Sequence, residues 1–212
     1  MEPAFARRTV PELLSLVIMV SRAALYFLIR GRLPRRIAMD RGARIRGIEN
    51  LKLDGWAKIG AYALVDARYT VELRLGRNFS LGDFSILRCS GAASFLCPGV
   101  TIADNVSFGP FCNIGGGYGL MIGANNLFGP YVSIHPETHV VDDLSLPIRR
   151  QGITGQGIRI GADNWFGAKS TVLDGSALGS QNIVAAGALL VNAQYGSRTI
   201  LGGLPARKLA ER

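Results

Sequence analysis

From residue 45 onward, large apolar side chains recur at every sixth position. Leu96, Ile102, Phe108 and Ile114 make one run; Ile122, Phe128 and Ile134 make a second; Ile160, Phe166, Val172, Leu178, Val184 and Leu190 make a third. The following residue is small at almost every step, as at Cys97, Ala103, Gly109, Gly115, Gly123, Gly129, Gly161, Gly167, Gly179 and Ala185. A second small or mid-sized set stands at Val106, Cys112, Val132, Thr138, Ser170, Ser176 and Ala188, and weaker copies run upstream through Leu53, Ile59, Val65, Leu75 and Leu81. Six residues are too few for a helix and its loop but fit one short strand and a turn. Three such sides close a triangular coil, and coils stack because one alone has nowhere to bury its apolar residues. At a spacing of about 4.8 Å, roughly seven coils give a prism on the order of 34 Å tall. The pattern therefore predicts an all-β solenoid over residues 45–212. A β-sandwich, with turn signals every 8–12 residues or so, does not keep a six-residue register from 160 to 190.

The register breaks at Gly115-Gly116-Gly117-Tyr118-Gly119, a loosened corner, and again over 140–157, an excursion long enough to be a binding element. Residues 1–44 carry a different pattern. Val10 to Ile29 is nearly all apolar, with Glu12, Ser15, Arg22, Tyr26 and Arg30 on one narrow helical stripe and Gly31 and Pro34 as stop signals. Arg22 makes a bilayer span costly, and a basic cluster that follows the apolar run is unlike a secretory signal. Three placements stay open: a helix lying in the membrane interface, a helix packed on its own protein or an oligomer partner, and a span.

Charge sharpens that reading. The formal charge is +9, and ten arginines (Arg7, Arg8, Arg22, Arg30, Arg32, Arg35, Arg36, Arg41, Arg44 and Arg46) face three acids (Glu2, Glu12 and Asp40) in residues 1–46. A membrane-surface contact through residues 10–36 follows as an expectation, placing the chain at the inner face of a cytoplasmic membrane. Nucleic acid is not expected as a partner, since no groove-reading motif accompanies the charge. Glycine, at 27 residues without a collagen period, marks tight turns. The three cysteines lack metal or redox spacing; Cys97 and Cys112 stand at small-residue positions and read as buried thiols of a reducing compartment.

The run Ile160-Gly161-Ala162-Asp163-Asn164-Trp165-Phe166-Gly167-Ala168 resembles the signature of the hexapeptide-repeat acyltransferases, whose polysaccharide-biosynthesis branch is the nearer one. Gly129-Pro130-Tyr131-Val132-Ser133-Ile134 through His139, then Asp142-Asp143, Pro147-Ile148-Arg149 and Gln151-Gly152, is similar to that branch's catalytic segment. Gly202-Gly203-Leu204-Pro205-Ala206-Arg207 is similar to the family's closing motif, so the resemblance spans roughly 95–208. It implies a left-handed coil, a handedness the spacing alone does not give. It also implies acetyl-CoA as co-substrate, no metal, and a homotrimer with sites between neighbouring prisms.

Moving an acyl group from a thioester to an alcohol needs a base for the hydroxyl, donors for the oxyanion and a slot for the pantetheine arm. Of the two histidines, His139 matches the family's general base, while His135 reads as a bystander or a contact for the acceptor. Asp142 or Asp143 is positioned to orient the imidazole, and solvated loop acids are the equal alternative. Ala168 and Ala186 lie one coil apart and match the pantetheine-binding positions, with Trp165 beside them against the acyl or pantetheine portion. Arg207 and Lys208 are candidates for the coenzyme A phosphates; Asn113 and Gln151 are candidates for the acceptor, a sugar or glycan. Asn164 and Asn182, also one coil apart, read as a stacked structural pair. One departure stands out: Val191-Asn192 replaces a Thr-Lys pair of many family members, which removes one phosphate contact. The acceptor stays open between a cell-surface polysaccharide or lipid-linked sugar and a small molecule, and a non-catalytic membrane-associated scaffold is the reading from a different class. A zinc-dependent carbonic anhydrase on the same fold needs three histidine ligands, and this chain has two histidines.

Overall fold

The structure is a computed structural model and describes residues 9–33, 35–90 and 95–212; Glu2, Arg7, Arg8 and Pro34 lie outside the described residues. Short strands wind into a left-handed parallel β-helix with three faces. The first face runs from Ile37–Met39 through Ala57–Ile59, Phe79–Leu81, Ser107–Phe108, Leu127–Phe128, Trp165–Phe166 and Ile183–Val184 to Thr199–Gly202, and the antiparallel strand Arg207–Glu211 closes it. The second face runs from Arg44–Arg46 to Leu189–Leu190, and the third from Leu51–Leu53 to Gln194–Tyr195. In-register pairing stacks like on like: Met39, Ile59, Leu81, Phe108, Phe128, Phe166, Val184 and Leu201 form one buried column. Within it, the rings of Phe108, Phe128 and Phe166 stack at 4.3 and 4.4 Å.

The solenoid starts earlier than the repeat suggests. Ile37–Met39 already pairs with Ala57–Ile59, ahead of the boundary expected at residue 45. The first coil is hard to see in sequence because Asp40 stands where later coils have Gly60, Gly82 or Gly109. Two positions of the six-residue register fail for a related reason. Leu96 is 62% exposed, because Cys97 bridges Thr70 and takes the inward place. Thr138 is exposed because it has left the coil for a hairpin.

Every register break falls on one corner, between the second and third faces. The turns at the other two corners keep one length throughout, as from Ile59 to Leu64 and Phe166 to Thr171 at one, and from Leu75 to Leu81 and Ile160 to Phe166 at the other. On the variable corner the chain is short between Leu173 and Ala177 but long between Arg88 and Val100 and between His135 and Ile158. The break between Arg88 and Val100 went unrecognised in the sequence, since Leu96 and Cys97 mimic the repeat.

A buried amide ladder holds the opposite corner, between the third and first faces. Asn126 Oδ1 accepts from the backbone N–H and Nδ2 of Asn164 at 2.9 and 3.0 Å. Asn164 Oδ1 accepts likewise from Asn182 at 2.8 and 3.1 Å, and Asn182 Oδ1 from the N–H and hydroxyl of Thr199 at 2.9 and 2.8 Å. The structural pair read from the sequence is thus the middle of a four-residue ladder.

The helix α1, Val10–Leu28, plugs the open end of the first coil. Its start is fixed by the Glu12 carboxylate, which accepts from the Thr9 N–H at 2.7 Å. Gly31, at φ 66°, turns the chain soon after its last turn. Of the three placements left open, the structure shows the helix packed on its own protein, with its polar stripe turned partly inward. Arg22 donates to the Met39 carbonyl at 3.1 Å and to Asp40, and the Tyr26 hydroxyl donates to the Ile45 carbonyl at 2.8 Å. Both satisfy backbone and acid groups of a coil that has no neighbour on that side. Met19, Ala23 and Phe27 are buried beside them, so most of the helix's apolar surface faces outward.

Replacing Asn164 with Leu takes the acceptor from the Asn182 N–H and from one Asn182 Nδ2 hydrogen, and leaves Asn126 Oδ1 with the backbone N–H of residue 164 alone. Urea denaturation should show a loss of about 3 kcal/mol, against an unchanged stability for a substitution at exposed Gln181.

Candidate active site

The corner between the first and second faces carries a column in which Arg41, Ala61, Asp83, Pro110, Pro130 and Ala168 successively accept from the N–H of the residue above. Prolines at 110 and 130 have no N–H to offer. The next coils place Ala168 and Ala186 there, and among the described residues neither of their amides donates a hydrogen bond. Small residues beneath make this possible: a Cβ on Gly129 would stand 2.9 Å from the Ala168 nitrogen. The edge therefore changes from proline rungs to two stacked, unpaired amide donors, as a ledge for an extended amide-bearing arm requires.

His139 lies around the other side of the second face, on the variable corner. The strand Thr138–His139 pairs antiparallel with Ile153–Thr154, so 140–157 folds as a closed hairpin whose tip holds the short helix α2, Ile148–Gln151. His139 is exposed, and its imidazole makes no hydrogen bond among the described residues. His135 sits on the outer side of the second face, opposite Leu173, and Asn113 on the same side opposite Ser133. Those two share a surface that separates the ledge from the hairpin.

Asp143 and Gln151 are bonded within the hairpin tip. The Ser145 hydroxyl donates to Asp143 Oδ1 at 2.6 Å and its amide at 2.9 Å, which together hold the Asp143 carboxyl below its ordinary range. Gln151 accepts from the Asp143 N–H and donates to the Asp143 and Leu146 carbonyls, tying the hairpin tip together. Asp142 is exposed, and no hydrogen bond or ion pair joins it to His139. Trp165 lies 54% exposed on the outer side of the first face, between Leu127 and Ile183. Arg207 and Lys208 lie on the closing strand, Lys208 paired with Glu211. The preceding Ala206 donates to the Leu189 carbonyl, which brings that strand over the ledge corner.

Two residues that position the hairpin were missed in the sequence. Asp174 accepts from the N–H groups of Gln156 and Gly157, both at 2.8 Å, and so clamps the hairpin's return. Tyr118 donates its hydroxyl to the Ile153 carbonyl at 2.7 Å and packs against Phe95 with ring centroids 4.6 Å apart. Three sequence breaks thus meet at one tyrosine, and the glycine-rich run around Tyr118 was the only available signal. Among the described residues no cluster of His, Cys, Asp or Glu could hold a metal ion.

The ledge corner also carries a ladder of rings. Tyr62, Phe84, Phe111 and Tyr131 adopt positive φ, stack at 5.4, 5.2 and 4.9 Å and remain about half exposed. Positive φ disfavours bulky residues, and the equivalent positions of the next corner hold Asn78, Asn105, Asn125 and Asp163 instead. Ledge and hairpin stay apart within one chain. The stretch from Ala168 to Asp174 crosses the second face, about 20 Å at an extended rise of about 3.3 Å per residue.

No family model matches the chain. It is 31% identical over 142 residues to the protein named Probable acetyltransferase Rv3034c of Mycobacterium tuberculosis. The match covers 66% of this chain and 45% of that protein, so the chain spans less than half the length of the curated relative it matches. Among solved structures, a variant of AntD, an N-acyltransferase from Bacillus cereus in complex with dTDP and coenzyme A, aligns with a TM-score of 0.52 at 12% identity, covering 83% of this chain and 81% of its own. A second AntD variant, in complex with dTDP-4-amino-4,6-dideoxyglucose and coenzyme A, gives 0.52 and 12% over 84% and 81%. At that identity the likeness is one of fold.

Two measurements check this geometry. Tyr118→Phe should speed amide exchange across 140–157 by roughly tenfold, the loss expected for one hydrogen bond, and leave the Asn164 corner unchanged. Burial pushes the Cys89 thiol up to about 12 and also raises Cys112, so a thiol reagent at neutral pH should leave both unmodified until the chain is unfolded.

Proposed function

We propose that this chain is an acyltransferase that carries the acetyl group of acetyl-CoA to a hydroxyl of a saccharide. The observation that carries the reading is the pair of unpaired, stacked amides at Ala168 and Ala186, one coil apart on an edge whose two preceding rungs are Pro110 and Pro130. An extended pantetheine arm has amides that match such a ledge. The acetyltransferase relative and the coenzyme A complexes of the structural neighbours support the same co-substrate. The dTDP-sugar bound by one neighbour supports a sugar acceptor.

In this reading the His139 imidazole takes the proton of the acceptor hydroxyl as its oxygen attacks the thioester carbonyl. The tetrahedral intermediate collapses, the carbon–sulfur bond breaks, and the leaving thiolate recovers the proton from the imidazolium. The products are the acetyl ester and free coenzyme A. Asn113 and His135, on the outer side of the second face, are the groups nearest to hand for the acceptor. Arg207, near the top of the ledge, is the candidate for the coenzyme A phosphates. Because ledge and hairpin occupy different edges of one prism, we place the complete site between two copies of a homotrimer, with the exposed ring ladder covered by the neighbour.

Free-thiol release from acetyl-CoA over a panel of sugars, amino sugars and lipid-linked glycans tests the proposal. His139→Ala should lower acceptor-dependent release by about 10² to 10⁴-fold while coenzyme A binding persists. Retained turnover in that variant, or release with amines alone, would overturn the hydroxyl chemistry. Ala168→Pro copies the rungs below it and removes one donor, so acetyl-CoA affinity should fall about tenfold with the melting temperature unchanged. At acetyl-CoA concentrations too low to saturate Ala168→Pro, a refolded mixture of the His139→Ala and Ala168→Pro chains should show more activity than the two chains assayed separately add up to. No such excess would place both halves in one chain.

A further inference from the structure

We infer that α1 and the arginines around its end form a docking surface for an anionic lipid bilayer. The helix is already fixed to the prism by Arg22, Tyr26 and Phe27, so its free side needs no further role in folding. That free side carries Leu13, Leu14, Val17, Ile18, Leu25 and Leu28, all roughly half exposed at helical spacing. A contiguous apolar stripe of this length is an interaction surface rather than ordinary exposed carbon. By length and composition α1 is apolar enough to cross a membrane, but its central Arg22 is bonded to the first coil, which favours lying on the surface over spanning it.

Charge decides between a bilayer and a second copy of the chain. Where the helix ends, Tyr26, Arg30, Gly42, Ala43, Arg44, Ile45 and Arg46 line an open cleft of about 530 Å³. Arg30 lies over the Tyr26 ring at 3.7 Å, and Arg44 has no acidic partner among the described residues; Arg46 is shared loosely with Asp66 at 3.8 Å. Arg32, Arg35 and Arg36 follow the helix and are exposed as well, Arg35 donating to the Leu51 carbonyl at 2.7 Å and Arg36 lining a separate cleft with Trp56. Facing copies would bring these cations together, whereas lipid phosphates neutralise them. On the other side of α1, Leu16, Val20 and Trp56 line an apolar cleft of about 490 Å³ that has room for an acyl chain.

Flotation of the purified full chain with vesicles tests this. Binding should be strong to vesicles containing phosphatidylglycerol, weak to pure phosphatidylcholine, and diminished by salt. Leu14→Asp with Val17→Asp should weaken binding by at least about tenfold, and Arg30→Gln with Arg44→Gln should remove the preference for anionic lipid. Each variant should keep the wild-type melting temperature and thiol release on a soluble acceptor, so loss of lipid binding is read independently of the acyl-transfer proposal. Absence of flotation, or variants that float like the wild type, would overturn the inference. So would a change of oligomeric state in sedimentation, which would assign the stripe to a second copy, or extraction from cell membranes by detergent alone, which would assign a span.

Discussion

A coil of this solenoid buries its large residue only against the coils above and below it. Column after column depends on that stacking, from Met39 through the three stacked phenylalanines to Leu201. The constraint tolerates length changes only where they do not enter the ladders, so insertions leave at corners. Here they leave at one corner, between the second and third faces. The amide ladder through Asn126, Asn164, Asn182 and Thr199 occupies a corner of constant length, where a hydrogen bond can repeat from coil to coil.

The same constraint creates two problems at the ends. An uncapped first coil would leave backbone groups and apolar residues open, and α1 closes it with Phe27, Arg22 and Tyr26. Spending its inward side on that task turns the remaining apolar residues outward. At the far end the strand Arg207–Glu211 folds back antiparallel, so the last rung does not present an open edge.

Function in this fold is a matter of which edge a residue occupies. The ledge at Ala168 and Ala186 belongs to a corner whose two preceding rungs are prolines and where aromatic side chains form a ring ladder. His139 belongs to the variable corner, on a hairpin held by Tyr118 and Asp174. One chain presents each half on a separate edge of the second face. That division is the physical ground on which we propose a site completed between copies.

The six-residue period was enough for the solenoid and for most inward positions, because each coil repeats one local pattern and the register is its own record. The same period located Ala168, Ala186 and the stacked asparagines, since residues one coil apart must share an edge. The sequence failed where a residue's role depends on a distant part of the chain. Leu96 looked inward until Thr70 paired with Cys97. That Gln151 and Asp143 tie the hairpin tip together could not be read until the hairpin closed. The placement of α1 stayed open in the sequence until the open first coil claimed Arg22 and Tyr26. Local repetition can be read in one dimension, but a hydrogen bond between segments far apart in sequence exists only once the coils have stacked.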